Sequence, residues 1–147
     1  FPSKEALIDE VYLVLKKEMR DFILIGYSED TDLVERMEHI WNRYAYWAVE
    51  FPLRYRLLEQ LRLSDLVSQE AIDKMETELA FLFEVVHRAH QQGFYGKLPL
   101  GYVSLIIHAF LESTINYALA ENLTGKQLKG HLEAGFDALL NGIRPRD

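Results

Sequence analysis

The sequence contains no cysteine, which excludes a disulfide framework, a thiolate metal site and a cysteine nucleophile. A reducing, cytoplasmic setting is consistent with that absence. Positive charge is also in short supply: 16 Lys and Arg stand against 23 Asp and Glu, for a net charge of −7. The basic residues that are present interleave with acids, as in Lys16-Lys17-Glu18 and Glu35-Arg36-Met37-Glu38. That is the pattern of a solvated helix face, not of a surface that neutralises phosphates. This stretch is therefore not expected to bind nucleic acid by itself. Sustained alternation of apolar and polar residues is missing too, which argues against half-buried strands. The most apolar run, residues 98–111, is interrupted by Pro99, Ser104 and His108 and is too short to span a bilayer. No membrane segment or signal peptide is expected. No phosphate-binding glycine loop, nucleophile elbow or zinc-protease motif occurs, and Gly125-Lys126 lacks the rest of a P-loop. Neither an enzyme nor a bound cofactor is expected.

What is present is ordinary material for a folded core: 147 residues, 49% hydrophobic and 27% charged. The apolar positions recur with helical period throughout, predicting an all-α domain of six helices over residues 1–147. Ser3 is a natural N-cap, and Leu7, Ile8, Val11, Leu15, Met19, Phe22 and Ile23 form the stripe of the first helix, ending near Gly26. Asp32 and Glu35 have capping-box spacing at the start of the second, which stops before Pro52. A short helix over about residues 53–63 follows. Ser68 caps a predicted long helix ending at Gly93. The fifth covers about residues 100–121, and the sixth runs from the Thr124/Gln127 pair to about Ile143. The chain opens without Met, inside what reads as a structured segment; the expectation is a piece of a longer protein.

The fifth predicted helix is apolar nearly all round, so it needs cover on more than one side. The last carries Leu128, Leu132, Gly135, Phe136, Leu139, Leu140 and Ile143 on one broad face. A mid-helix glycine costs about 1 kcal/mol against alanine, which is understandable if a neighbouring backbone passes close to it. Two such helices from each of two subunits would make a four-helix bundle. Ile106, Phe110, Tyr117, Leu132, Gly135, Phe136 and Leu139 are the expected homodimer interface. The alternative is that both helices complete a monomeric core.

Aromatic residues crowd the middle of the chain. Trp41, Tyr44 and Trp47 share a helix, Tyr55 follows on the next, and Phe83, Tyr102 and Phe110 lie further on. With His87 they are the expected lining of a pocket for a small hydrophobic or amphipathic molecule, since such pockets are mostly apolar with a few placed polar groups. For any one of them, packed core is the competing reading. His87, His90 and His108 invite a metal reading, and Glu84 with His87 makes one Glu-x-x-His unit. A ferritin-like di-iron enzyme needs a second such unit, and the sequence has only one, so no metal ligand is assigned. Glu50 and Glu112, on apolar stretches, either select a cationic ligand, face solvent or meet an Arg. A helical interaction module with no small ligand is the third reading.

Phe1-Pro2-Ser3-Lys4-Glu5-Ala6-Leu7 resembles the segment that closes the DNA-binding domain of TetR-family transcription regulators and opens the helix connecting it to the regulatory domain. Phe1, Ser3, Lys4 and Leu7 carry the match. Residues 51–68, with Arg56-Leu57-Leu58-Glu59-Gln60 and Ser64, are similar to segments of family members that sense small hydrophobic compounds. The resemblance implies the effector-binding and dimerisation domain of a one-component repressor, with residues 1–7 as the tail of the junction to a missing helix-turn-helix domain. It also implies that operator DNA is contacted only through that missing domain, apart from Lys4, which would reach a DNA phosphate in the complete protein.

Overall fold

The computed structural model describes residues 3–145, so Phe1 and Pro2 of the family-like segment lie outside the described residues. Helix α1 (Lys4–Leu24) begins where expected, because the Ser3 hydroxyl accepts the Ala6 N–H at 3.0 Å and satisfies one of the orphan donors of the first turn. Helix α2 (Leu33–Glu50) is capped in the same way by Asp32, which accepts the Glu35 N–H at 2.8 Å. Pro52 ends it and becomes the first residue of α3 (Pro52–Leu63), a position where a missing N–H costs nothing. The remaining helices are α4 (Gln69–Glu78), α5 (Ala80–Gln91), α6 (Leu100–Ala120) and α7 (Gly125–Ile143). Thr124 holds the N-cap position of α7 without making a side-chain cap bond.

The described residues form seven helices and no strand, where the pattern predicts six. The difference lies in residues 68–93. Ser68 caps the start, accepting the Ala71 N–H at 3.1 Å, and Gly93 ends the segment at φ +80°, both as predicted. Between them the helix breaks at Leu79, whose φ and ψ are −102° and 15°. Thr77 donates its hydroxyl back to the Asp73 carbonyl, a bond that bends helices, and Leu82 N–H closes a tighter three-residue turn on the Leu79 carbonyl at 3.0 Å. The bend leaves Leu79 buried in the main core. An apolar stripe reads the same through such a bend, which is why periodicity could not show it.

Helix α2 is the hub. It packs against α1, α3, α5, α6 and α7, and its inward positions, Trp41, Ala45, Trp47 and Ala48, are almost fully buried. Gly135 of α7 has its explanation here. A Cβ at that position would stand 3.1 Å from both Thr114 of α6 and Trp41 of α2, so the close neighbours are side chains of the same chain, not a partner's backbone. Thr114 is held by its own bond to the Phe110 carbonyl at 2.7 Å, and Trp41 donates its indole N–H to the Leu132 carbonyl at 3.0 Å.

The predicted interface divides in two. Leu132, Phe136 and Leu139 are buried inside this chain, and Ile106 packs against the same core. They are taken up because α2 and α6 need a broad apolar face on α7. Phe110 and Tyr117 do face outward, with Tyr102 and Leu105 on the same side of α6. Leu105 is 69% exposed, and Ala109, Ala134 and Ala138 are also exposed. Helix α6 has 21 residues, long and apolar enough by length and composition to cross a membrane, and Glu112 is its one acid. In this fold it lies against α2, α5 and α7 instead.

Candidate functional site

The helices enclose a cavity of about 270 Å³, mostly apolar and partly open. Helix α2 supplies Met37, Ile40, Trp41 and Tyr44, and α1 supplies Met19. The segment around the break contributes Leu79, Leu82 and Phe83, with Val85 and Val86 beyond. Ile107 and Leu111 of α6, and Phe136, Leu139, Leu140 and Ile143 of α7, complete the apolar wall with Leu58 and Tyr95. The hydroxyl of Tyr95 donates to the Met37 sulfur at 3.5 Å, and burial pushes its pKa up to about 12. Charged side chains also reach the wall: Lys16, Glu59, Arg62 and His108.

These charges form one connected group. Arg62 donates to the Glu59 carboxylate at 3.0 and 3.2 Å, and His108 Nε2 lies 3.4 Å from the same carboxylate. Arg62 also reaches Glu112 at 3.8 Å. Burial opposes ionisation of Glu59, but the bonds from His108 and Arg62 outweigh it and hold the carboxyl below its ordinary range. Lys16 is shifted down, chiefly by burial and against the pull of Glu59. Ligand atoms of Glu59, His108 and Glu112 lie within 4.8 Å of one another, a spacing a metal ion could use. Arg62 is already paired with both carboxylates, however, so a cation would have to displace a guanidinium.

Of the residues picked from the sequence, Trp41, Tyr44 and Phe83 line the cavity. Trp47 and Tyr55 do not: both are core, Trp47 fully buried with its indole N–H on Glu18 Oε1 at 3.1 Å. Tyr55 stands behind Tyr44, the two rings meeting edge to face with centroids 6.4 Å apart. Tyr102 and Phe110 point outward from α6. His87 is exposed on α5 beside a shallow surface hollow that also touches Glu84 and Arg88. Glu84 pairs with Arg88 at 3.5 Å, so the Glu-x-x-His unit faces away from the cavity. His108 is the histidine on the wall, while His90 bonds the Leu98 carbonyl at 2.9 Å. Glu112 meets an Arg, and Glu50 is exposed. Lys4 is exposed in the first turn of α1.

The aromatic count did not point to Glu59 and Arg62. A signal existed: Tyr55, Glu59 and Arg62 fall at i, i+4 and i+7 on α3, one face of a helix, and His108 and Glu112 at i and i+4 on α6. Tyr55 carries an unusual feature. Its hydroxyl is buried with no hydrogen-bond partner among the described residues, an arrangement that costs about 1–3 kcal/mol. Tyr55→Phe is therefore expected to stabilise the unliganded protein by about 1 kcal/mol, raising Tm by roughly 3 °C. A lower Tm in differential scanning calorimetry would mean that the hydroxyl finds a partner in solution.

No protein-family model matches the sequence. Solved structures do match the architecture. A Shewanella sp. PV-4 protein assigned to the TetR family of transcription regulators superposes with a TM-score of 0.83 at 24% identity, over 99% of this chain and 78% of its own. The fold is that of TetR-family regulators. A TetR-family transcription regulator of Marinobacter aquaeolei VT8 gives 0.84 at 20% identity, over 99% of this chain and 75% of its own. A Rhodococcus sp. RHA1 protein of unknown function gives 0.79 at 14%, again over 99% and 75%. At such identities the likeness is one of backbone arrangement. The TetR-like fold places the cavity, the paired charges and the outward face of α6, while the chemistry of each rests on this chain's own side chains.

Proposed function

We propose that this chain is the effector-binding and dimerisation domain of a one-component transcriptional repressor, acting by binding and not by catalysis. The observation that supports it is that α1 supplies part of the wall of an apolar cavity, through Lys16 and Met19. A small hydrophobic or amphipathic molecule seated there touches the helix which, in the family this chain resembles, connects to the DNA reader. It shifts the tilt of α1 to the extent that it binds one arrangement better than the other. Operator DNA is met by a reading domain outside residues 1–147, with Lys4 at its edge. No metal or cofactor takes part, and the protein works in the cytoplasm.

Dimerisation is the second half of the proposal. Tyr102, Leu105, Phe110 and Tyr117 leave an apolar stripe on α6 uncovered within one chain, and small exposed residues of α7, Ala134 and Ala138, flank it. A twofold pairing of α6 and α7 with their copies covers the stripe. Light scattering is expected to give twice the 17.2 kDa chain mass, and the double substitution Leu105→Glu, Tyr117→Glu to return the single mass with its helical spectrum intact. An apolar compound bound at a hundred times its Kd stabilises by about 2.7 kcal/mol, raising Tm by roughly 5–10 °C. Ile107→Phe, which narrows the cavity, should reduce that rise. A monomer that no small apolar compound stabilises would sink the reading, as would extraction only in detergent, which would give α6 to a lipid phase.

A further inference from the structure

The size and the unspent hydrogen-bonding groups of the cavity restrict what it can hold. A 150 Å³ apolar cavity accepts one benzene, so a volume of about 270 Å³ suits a molecule of roughly ten non-hydrogen atoms. Most of the lining residues are apolar, among them Met19, Met37, Ile40, Leu58, Ile107 and Leu139. The charged ones come together, since Arg62 joins Glu59 to Glu112 and His108 adjoins Glu59. Lys16 and the Tyr44 hydroxyl feel the charges of the same Glu59 and Arg62. The cavity therefore has one polar region, and the rest of its wall is apolar.

Within that region Arg62 and Ser104 spend donors inside the chain, whereas Lys16 and Tyr44 do not. The Glu59 carboxylate is taken by Arg62 and His108, and Glu112 stands 3.8 Å from Arg62, an ion-pair distance without a hydrogen bond. Ser104 spends its hydroxyl on the Leu100 carbonyl. Lys16 makes no ion pair among the described residues; its ammonium only stands 5.8 Å from the centre of the Tyr12 ring. The Tyr44 hydroxyl, on the cavity wall, makes no hydrogen bond among the described residues. Lys16 and Tyr44 on the cavity wall thus keep their donors unspent beside a Glu59 carboxylate already held by Arg62 and His108. That favours an acceptor on the ligand, and the charge without an ion pair, that of Lys16, is positive. The fixed charges, Lys16 and Arg62 against Glu59 and Glu112, sum to zero, so the group carries no net negative charge to oppose an anion.

We propose, resting on the reading of the cavity as an effector site, that its ligand is a small apolar monocarboxylate whose carboxylate is held by Lys16 and Tyr44. An ion pair with Lys16 also places the ligand's charge directly on α1. Such a ligand exploits the helix that must move.

Octanoate, 1-octanol and octylamine share one tail and differ in head group, and they are the probes. Isothermal titration on the whole chain is expected to show octanoate binding at least tenfold tighter than 1-octanol, with octylamine weaker than either. Lys16→Met should remove that tenfold preference, and Tyr44→Phe should reduce it; the two substitutions are independent, so either variant alone suffices if the other does not fold. If 1-octanol or octylamine binds as well as octanoate, or if the preference survives in the variant that folds, the carboxylate assignment fails while the cavity remains an effector site. If none of the three binds, both fail. Stabilisation by Zn²⁺ that is lost in Glu112→Gln, with octanoate inert, likewise overturns the proposal in favour of a metal at Glu59, His108 and Glu112.

Discussion

Trp41→Ala is expected to lower stability by about 4 kcal/mol and Tm by roughly 10 °C or more. Trp41 is 3% exposed and packs tilted against Phe136 with ring centroids 6.0 Å apart. Its indole N–H also holds the Leu132 carbonyl of α7 at 3.0 Å. Truncation removes that bond, the dispersion contacts of a large ring and the neighbour against which Gly135 is fitted. It also enlarges the cavity, because Trp41 is part of the wall. Trp47→Ala should cost a similar amount, as Trp47 is fully buried. The two differ in what repairs them: a bulky apolar compound should restore part of the lost Tm to Trp41→Ala and none to Trp47→Ala, whose void lies outside the cavity. Equal rescue of both would show that the compound acts on the fold as a whole.

That contrast also shows what sequence could reveal. Trp41 and Trp47 lie six residues apart on one helix with similar apolar neighbours, and nothing in the pattern separates a wall from a core. The separation arises from which helices flank α2, a tertiary fact. Caps were legible because they are local: Ser3, Asp32 and Ser68 each bond an N–H three residues on. The broken helix at Leu79 was not, since the cause is a Thr77 back-bond and the burial of one leucine. A mid-helix glycine suggests a neighbouring backbone close by, but what crowds Gly135 is the side chains of Trp41 and Thr114, ninety-four and twenty-one positions away. The polar end of the site was spread over α1, α2, α3 and α6. Lys16, Glu59 and His108 gave no joint signal, because each alone looks like an ordinary residue on a half-solvated face.

Glu59→Gln should also lower stability, and its pH dependence identifies its origin. The substitution keeps the shape of the side chain and removes the charge that Arg62 and His108 share. Glu59 is 12% exposed but Arg62 is 38% exposed, so Arg62 can turn to solvent and the loss stays well below that of a fully buried pair. About 1–2 kcal/mol at pH 7 is expected. The folded-state pKa of Glu59 lies below its unfolded value, near 4.3 for an ordinary glutamate. Its contribution is therefore fully present above that value and fades as pH falls through the depressed folded one. Wild type and Glu59→Gln should thus differ most in urea titrations at neutral pH and converge toward pH 3. A difference that persists undiminished at pH 3 would assign the loss to packing and not to charge. Through Arg62 and His108 the same carboxylate ties α3 to α6 across the polar end of the cavity. Glu59→Gln is then also expected to loosen the wall that a ligand's head group meets.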